Sequence, residues 1–189
     1  MAVMTIAIID HDEIVERELA PLREAIGADF EGYRNHVYRV LTYALHFLGG
    51  DAKWRETVAF ALAYHDVGLW TDKALAYLEP SEALAEQARQ ASAPHLDACL
   101  VCNLIHWHHK VTAFQGPDAE VVNAVRKADW VDASGGRVRK GLSRRDILEV
   151  MSAIPPHGFY ETLMRLPGEL NGGRTLGGLT QMLAHVFKA

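Results

Sequence analysis

The chain has 189 residues, of which 49% are hydrophobic, and this is enough apolar material to bury the core of about one domain. Its formal net charge is −5 and it has no run of five like charges, which argues against binding long nucleic acid but not against binding a small phosphate through a metal. The two cysteines, Cys99 and Cys102, and the lack of any segment apolar enough to span a bilayer predict a cytoplasmic protein without a membrane partner.

Apolar residues recur at helical spacing along most of the chain, and this periodicity predicts an all-α fold. The first predicted helix covers residues 13–26 and contains Pro21, which should kink or divide it. The second follows Asp29, which can cap its N-terminus, and runs to Leu48. The alternation of polarity that is typical of a strand is limited to residues 5–9.

The third predicted helix carries an adjacent histidine and aspartate, His65 and Asp66, at its C-terminal end. Asp51 can cap its N-terminus and Gly68 should end it. Burying a carboxylate at the end of an apolar helix costs free energy unless a cation or hydrogen bonds compensate it. The pair therefore indicates a site at which a cation or hydrogen bonds compensate the carboxylate. The residues after it, 69–80, are predicted to form a loop with a short helical turn.

Three helices are predicted next, over residues 81–91, 94–110 and 118–135, with Ser81 and Asp118 as N-terminal caps. Glycine and proline between the last two of these helices form a turn sequence. The pattern thus continues as helices joined by short connections.

Residues 136–189 are predicted to form a C-terminal helical extension. One helix, capped by Ser143, should end before the two prolines at 155–156. The proline–glycine pair at 167–168 is predicted to form a turn, and a final helix covers residues 177–188.

Four residues of these helices belong to the types that bind divalent transition metals: His36, His65, Asp66 and Asp129. Imidazole and carboxylate ligands together can hold Mn²⁺, Fe²⁺, Co²⁺, Ni²⁺ or Zn²⁺ and leave positions for water and a substrate oxygen. A single histidine on a helix is more often a hydrogen-bonded core residue. The metal hypothesis therefore depends on all four side chains meeting at one point.

The order of these residues resembles the HD-domain superfamily of metal-dependent phosphohydrolases. The resemblance lies in the strings Tyr-Arg-Asn-His-Val at His36, Tyr-His-Asp-Val-Gly at His65 and Arg-Lys-Ala-Asp-Trp at Asp129, and it covers about residues 30–135. It implies a single helical domain over the whole chain, with an HD-like metal-binding core in that range. It also implies that the quartet binds one metal ion, with a second ion allowed.

The resemblance implies hydrolysis of a small phosphorylated substrate, with a nucleotide as the expected one. In this hypothesis the metal polarises a phosphoryl oxygen and lowers the pKa of its bound water. Asp66 would orient the attacking water in addition to binding the metal. The oligomeric state stays open, a homodimer included.

Some relatives bind a second metal through additional histidines between the His-Asp pair and the last aspartate. In the predicted helix 94–110, the helical period places His95, His106 and His109 on one face and His108 on the opposite side. We expect that face to look into the catalytic cavity, where His106 or His109 contacts substrate, donates a proton or binds the second ion. A structural zinc on this helix is the weaker alternative, because its end residues are too far apart for one ion.

The chain also departs from the branches of this superfamily. Leu69 stands where one branch has lysine and another has glutamate, and residues 114–117 lack the Gly-Tyr-Pro signature of the cyclic-dinucleotide phosphodiesterases. These departures leave the substrate and the proton donor open. Two other functions stay as alternatives, a di-iron oxygenase of the same fold and a module that senses a nucleotide without turnover.

Overall fold

The computed structural model describes the backbone of residues 5–187 and the side chains of residues 5–184. In this part the chain forms α-helices, short 3₁₀ turns and connections, with no strand, and the predicted all-α fold is confirmed. The helices are α1 Glu13–Leu19, α2 Arg23–Ile26, α3 Phe30–Phe47, α4 Arg55–Tyr64, α5 Gly68–Thr71, α6 Leu78–Ser92, α7 Ala98–Trp107, α8 Ala119–Ala133, α9 Arg144–Ala153, α10 Phe159–Glu169 and α11 Thr175–Phe187. Between residues 5 and 187, no helix combines the length and the apolar character needed to cross a membrane.

Helix α3 lies at the centre of the molecule and packs against α8, α4 and α9. It has 18 residues, and its polar residues His36, Arg39 and Thr42 are as buried as its apolar ones. A helix that is buried on nearly all sides must satisfy its polar side chains within the protein. This central position forces the polar residues of α3 into defined contacts with neighbouring helices.

Helix α4 is the second buried element, and it packs against α1, α3 and α7. Its consecutive residues 58–64 are all buried, so that no side of this segment faces solvent. Helix α7 also packs against α6 and α8. The C-terminal end of α4 is thereby held among α3, α7 and α8.

The sequence-based predictions of the first helices are confirmed in part. The predicted break at Pro21 is a 3₁₀ turn, Ala20–Leu22, between α1 and α2. Asp29 precedes α3 but makes no capping hydrogen bond. The strand-like residues 5–9 form no strand, and instead Ile9 donates its N–H to the Thr42 hydroxyl at 3.1 Å.

Two predictions around the His-Asp pair are wrong. Gly68 does not end α4, which stops at Tyr64, but begins α5, where a Cβ atom would collide with the carbonyl oxygen of Tyr77. Ser81 is not an N-cap, because α6 already begins at Leu78. The Ser81 hydroxyl instead accepts the Gly68 N–H at 2.9 Å, which ties α6 to the segment that follows the pair.

The C-terminal extension ends in a pair of helices, α10 and α11, that pack against each other. The predicted turn at 167–168 is wrong, because these residues lie inside α10. There Gly168 faces Thr175, and Gly178 of α11 lies directly on the carbonyl group of Pro167. This close contact between the helices accounts for the glycines at 168 and 178. The predicted cap at Ser143 is confirmed as a capping box with Asp146.

Candidate metal centre

The structure brings the four predicted ligands together at one buried point. His36 projects from the middle of α3, His65 follows the last residue of α4, Asp66 comes next, and Asp129 projects from α8. None of them is more than 7% exposed. The His36 Nε2 atom lies 3.0 Å from His65 Nε2, 3.5 Å from Asp129 Oδ1 and 3.7 Å from Asp66 Oδ2.

The outer nitrogens of both imidazoles are held by hydrogen-bond acceptors. His36 Nδ1 lies 2.7 Å from Asp132 Oδ2, and His65 Nδ1 lies 2.6 Å from the Leu62 carbonyl oxygen. Because a carbonyl oxygen only accepts, the His65 Nδ1 atom carries the proton, and the Asp132 carboxylate favours the same tautomer in His36. A neutral ring in this tautomer presents the lone pair of Nε2. Both lone pairs therefore point into the cluster.

Two nitrogen lone pairs at 3.0 Å repel each other unless a positive charge lies between them or one nitrogen is protonated. Ligand atoms that each lie about 2.0–2.2 Å from one transition-metal ion lie roughly 3.0–3.5 Å from one another. The distances from His36 Nε2 to His65 Nε2 and Asp129 Oδ1 lie within this range, and the 3.7 Å distance to Asp66 Oδ2 is slightly longer. The N and O donor types suit Mn, Fe, Co, Ni or Zn. The residues present therefore fit a divalent transition metal.

His108 is a further member of the cluster, because the side of the helix away from the exposed His95 is the side that faces the cavity. Its Nδ1 atom donates to the Ile105 carbonyl oxygen at 2.6 Å, and its Nε2 atom lies 3.2 Å from Asp66 Oδ1. The sequence carried a signal for this position, because the buried residues of α7 are Leu100, Val101, Leu104 and Ile105. His108 follows at the helical spacing of that apolar stripe.

The face of α7 that was predicted to line the cavity instead faces outward along most of its length. Cys99 and Cys102 are exposed, and the His95 side chain is 60% exposed and bonds to Glu56. The apolar residues of α7 set which of its sides is buried, and they lie away from its cysteines.

His106 and His109, the two predicted catalytic histidines, lie in different surroundings. The His106 side chain is 35% exposed and contacts Glu82 of α6 at 2.8 Å, and it does not line the cavity described below. His109 is buried, lines that cavity, and has its Nδ1 atom 3.0 Å from both the Tyr77 hydroxyl and His108 Nε2. Of the two, the structure brings only His109 to the site.

Asp66 belongs to one of two overlapping groups of candidate ligands and borders the other. The first group is His36, His65 and Asp129, and the second is His65, Asp66 and His108, with the chosen atoms of each group within 4.8 Å of one another. The Oδ2 atom of Asp66 faces the first group and its Oδ1 atom faces His108. Among the described residues Oδ1 has no hydrogen bond of good geometry. The arrangement can hold one ion or two.

Asp132 and Arg39 support His36 from behind. The Arg39 guanidinium donates through Nε and Nη2 to the Asp132 carboxylate, and its Nη1 atom donates to the carbonyl oxygens of Ile154 and Pro155. Burial alone would raise the pKa of Asp132, but the hydrogen bond from His36 and the charge of Arg39 lower it. Such outer partners fix the tautomer and the orientation of a metal-binding histidine. Arg39 is therefore committed to Asp132 and is fully buried.

The electrostatics of the cluster favour an additional positive charge. Burial alone would lower the pKa of His65, but the Asp66 and Asp129 carboxylates raise it to about 9. The pKa of Asp66 is held well below its usual value by His65 and His108 against the effect of burial. The pKa of Asp129 is raised, first by burial. A proton or a metal cation at this point stabilises the buried carboxylates.

The cluster forms the floor of a cavity of 310 Å³. His36, Asp66, His109 and Asp129 lie at the floor, where the His36 ring stacks on Phe159 with ring centroids 4.1 Å apart. Helices α10 and α11 supply one side of the cavity, which we call the apolar wall: Phe159, Leu163, Met164, Leu179, Met182 and Leu183. The cavity thus joins a polar floor to an apolar side.

Comparison of the chain with protein-family models, with curated proteins and with solved structures gives no match in any of the three. The resemblance to the HD-domain superfamily therefore stays a prediction from the motifs. What can be argued about function rests on the geometry of the site.

Proposed function

We propose that the protein is a metal-dependent phosphohydrolase that acts on a small phosphate ester. The observation that carries the proposal is the pair of Nε2 atoms of His36 and His65, 3.0 Å apart, with both outer nitrogens held by acceptors. Two carboxylates, Asp66 and Asp129, border the same point. A protein that buries so many ligand types around one point has a site suited to a divalent ion.

His36, His65, Asp66 and Asp129 would hold the metal, with His108 available for a second ion. When bound, such a metal polarises a phosphoryl oxygen and activates a water molecule for attack. The Oδ1 atom of Asp66, which lacks a hydrogen bond among the described side chains, can accept a hydrogen bond from the attacking water and orient it.

The reaction breaks the bond between phosphorus and the ester oxygen and forms a new bond between phosphorus and the water oxygen. The leaving alcohol oxygen takes up a proton, and the attacking water loses one to the solvent, from which the proton donor is reprotonated. His109 lines the cavity beside the cluster, and Tyr77, which also lines it, contacts the His109 ring. In this proposal His109 supplies that proton, and the helices α10 and α11 limit the access of bulk water.

Metal analysis combined with a phosphate-ester panel tests the proposal. Purified protein is loaded in turn with Mn²⁺, Fe²⁺, Co²⁺, Ni²⁺ and Zn²⁺, and phosphate release is measured for wild type, His65→Ala and His95→Ala. We expect His65→Ala to lose bound metal and more than about 100-fold in activity, because even outer partners of a metal ligand account for about 10–100-fold. His95→Ala, the control at an exposed side chain just before α7, should retain both. Phosphate release that survives His65→Ala would defeat the proposal.

The second group of ligands, His65, Asp66 and His108, favours one other function, a di-iron oxygenase. The apolar wall next to the cluster is compatible with an organic substrate for such an enzyme. This alternative requires two irons per chain and consumption of oxygen with an organic substrate. Iron analysis and an oxygen electrode separate it from the phosphohydrolase, which releases phosphate without oxygen.

A further inference from the structure

The cavity above the cluster carries information about the substrate. Given the proposed function, on which this step rests, we infer that the substrate is a phosphate monoester of a compact apolar alcohol, aliphatic or aromatic. This differs from the nucleotide that the motifs led us to expect. The phosphoryl group would lie at the polar floor, and the alcohol portion would lie against the apolar wall.

The first argument is the distribution of polarity around the cavity. The apolar wall belongs to α10 and α11, and Trp130 and Ala133 of α8 extend it. The indole N–H of Trp130 already donates to the Lys110 carbonyl oxygen at 3.3 Å. The polar residues of the lining, among them Asp66, Tyr77 and His109, lie at or beside the cluster. A ligand body above the floor therefore meets hydrocarbon and aromatic surface.

The second argument is charge. No lysine or arginine belongs to the described lining of the cavity, although these are the residues that bind the phosphates of nucleotides. Arg39 lies behind His36 but is buried and bound to Asp132, and Lys127 of α8 is exposed. A nucleotide base and ribose would also leave several hydrogen-bonding groups against the apolar wall, which lowers affinity. One phosphoryl group that a metal ion held by the cluster would neutralise avoids both costs.

The third argument is size and access. At 310 Å³ the cavity is at the lower end of the range of about 300–1,000 Å³ for small-molecule sites. Two residues of the apolar wall, Met164 and Leu183, are 60% and 51% exposed, so that the wall continues to the surface. An apolar alcohol portion can reach the cluster along this exposed edge, and it would bury side chains that otherwise face water.

The test uses inert probes, so that binding is read without turnover. Ethyl-, butyl- and hexylphosphonate, the methylenephosphonate analogue of adenosine 5′-monophosphate, and inorganic phosphate are titrated by calorimetry into the metal-loaded and the metal-free protein. We expect affinity for the phosphonates to rise by up to about fourfold per methylene until the cavity is filled. Hexylphosphonate should bind at least tenfold more tightly than the nucleotide. The dependence on chain length should appear in both metal states.

Two variants with the same chemical change locate the effect. Leu163→Asn places a polar group on the apolar wall, and Leu148→Asn makes the same change on α9, at a side chain that is 56% exposed and outside the cavity. The first should abolish the dependence on chain length and the second should preserve it. Met182→Asn, also on the wall, replaces the first variant if that protein does not fold, as judged by its circular dichroism.

The outcomes separate this inference from the proposed function. Tighter binding of the nucleotide than of hexylphosphonate, or affinity that ignores chain length, overturns the inference even if phosphate esters are hydrolysed. Chain-length dependence that Leu163→Asn abolishes supports the apolar wall as the binding region for the alcohol portion, and this result stands even if no ester releases phosphate and the proposed function fails. Hexylphosphonate affinity that falls as protein concentration rises would mean that a second copy covers the wall, and it would also overturn the inference.

Discussion

At the level of single residues, three histidines of the cluster are oriented in the same way, by a hydrogen-bond acceptor at Nδ1. In His36, His65 and His108 the Nδ1 atom faces an acceptor behind the ring, an aspartate in the first case and a backbone carbonyl in the other two. Each ring is thereby oriented before any ion arrives. Since pre-oriented ligands lose little conformational freedom on binding, the arrangement favours tight metal binding.

The contrast between His108 and His106 tests whether the oriented histidines bind metal. We expect His108→Ala to weaken metal binding by about tenfold or more, because it removes a ligand type that lies 3.2 Å from Asp66 Oδ1. His106→Ala should leave the metal content unchanged, because that side chain contacts Glu82 outside the cavity. Metal per chain after dialysis against a graded chelator measures both. Equal losses of bound metal in the two variants would mean that His106 also contributes to the metal site.

Arg39 offers a second test at this scale. Removing one partner of a buried ion pair leaves an uncompensated charge, so we expect Arg39→Met to lower the free energy of unfolding by about 3–5 kcal/mol. Arg145→Met, at a side chain that is 84% exposed, should change it by less than about 1 kcal/mol. Urea unfolding of the two variants measures the difference. If Arg39 bound phosphate, the Arg39→Met variant would instead have a raised KM and an unchanged stability.

At the scale of helices, the sequence predicts which segments are helical better than it predicts their ends. Ser143 caps α9 as expected, because its partner Asp146 is local, three residues away. Ser81 does not cap α6, because the Gly68 N–H offers its hydroxyl a partner 13 residues away. Local capping can be inferred from sequence, whereas a competing tertiary hydrogen bond depends on how the helices pack.

The contact between α10 and α11 gives a prediction for this scale. A Cβ atom on Gly178 would overlap the carbonyl of Pro167, so we expect Gly178→Ala to push the helices apart and lower stability by about 1–3 kcal/mol. Gly177→Ala is the matched control, because its new Cβ would meet mainly the side chain of Asn171, which can move. The unfolding temperature and the affinity for hexylphosphonate should both fall in Gly178→Ala and stay unchanged in Gly177→Ala. Equal changes in stability in the two variants would mean that helix propensity, and not packing, determines the effect of the substitution.

For the whole molecule, the meeting of the four candidate ligands could be predicted from sequence but the cavity could not. His36, His65, Asp66 and Asp129 have residue types with a recognisable chemistry and order, so that their meeting could be anticipated. The apolar residues of α10 and α11 carry only a helical period, which any core helix shares. Which apolar face covers the cluster is set by long-range packing, and local sequence does not encode it separately.

The C-terminal helices are joined to the rest of the molecule by Asp29, and this link should respond to pH. Asp29 accepts hydrogen bonds from Trp70 after the His-Asp pair and from Thr162 and Arg165 of α10. Burial alone would raise its pKa, but these hydrogen bonds lower it below the usual value. A carboxylate whose pKa is lowered by folding adds stability that is complete above its unfolded pKa of about 3.9 and is lost as the pH falls through the folded pKa.

Asp29→Asn should therefore cost roughly 1–2 kcal/mol of unfolding free energy at pH 7, a figure reduced for the partial exposure of the Arg165 contact. The difference between wild type and variant should shrink between about pH 4 and pH 2, as the wild-type carboxylate is protonated. Asp72→Asn, at an exposed aspartate hydrogen-bonded by Thr71, is the control and should show little difference at either pH. Urea unfolding across this pH range provides the measurement. A wild-type advantage that stays constant down to pH 2 would mean that the charge of Asp29 does not hold α10 in place, and that packing alone keeps the C-terminal helices over the cluster.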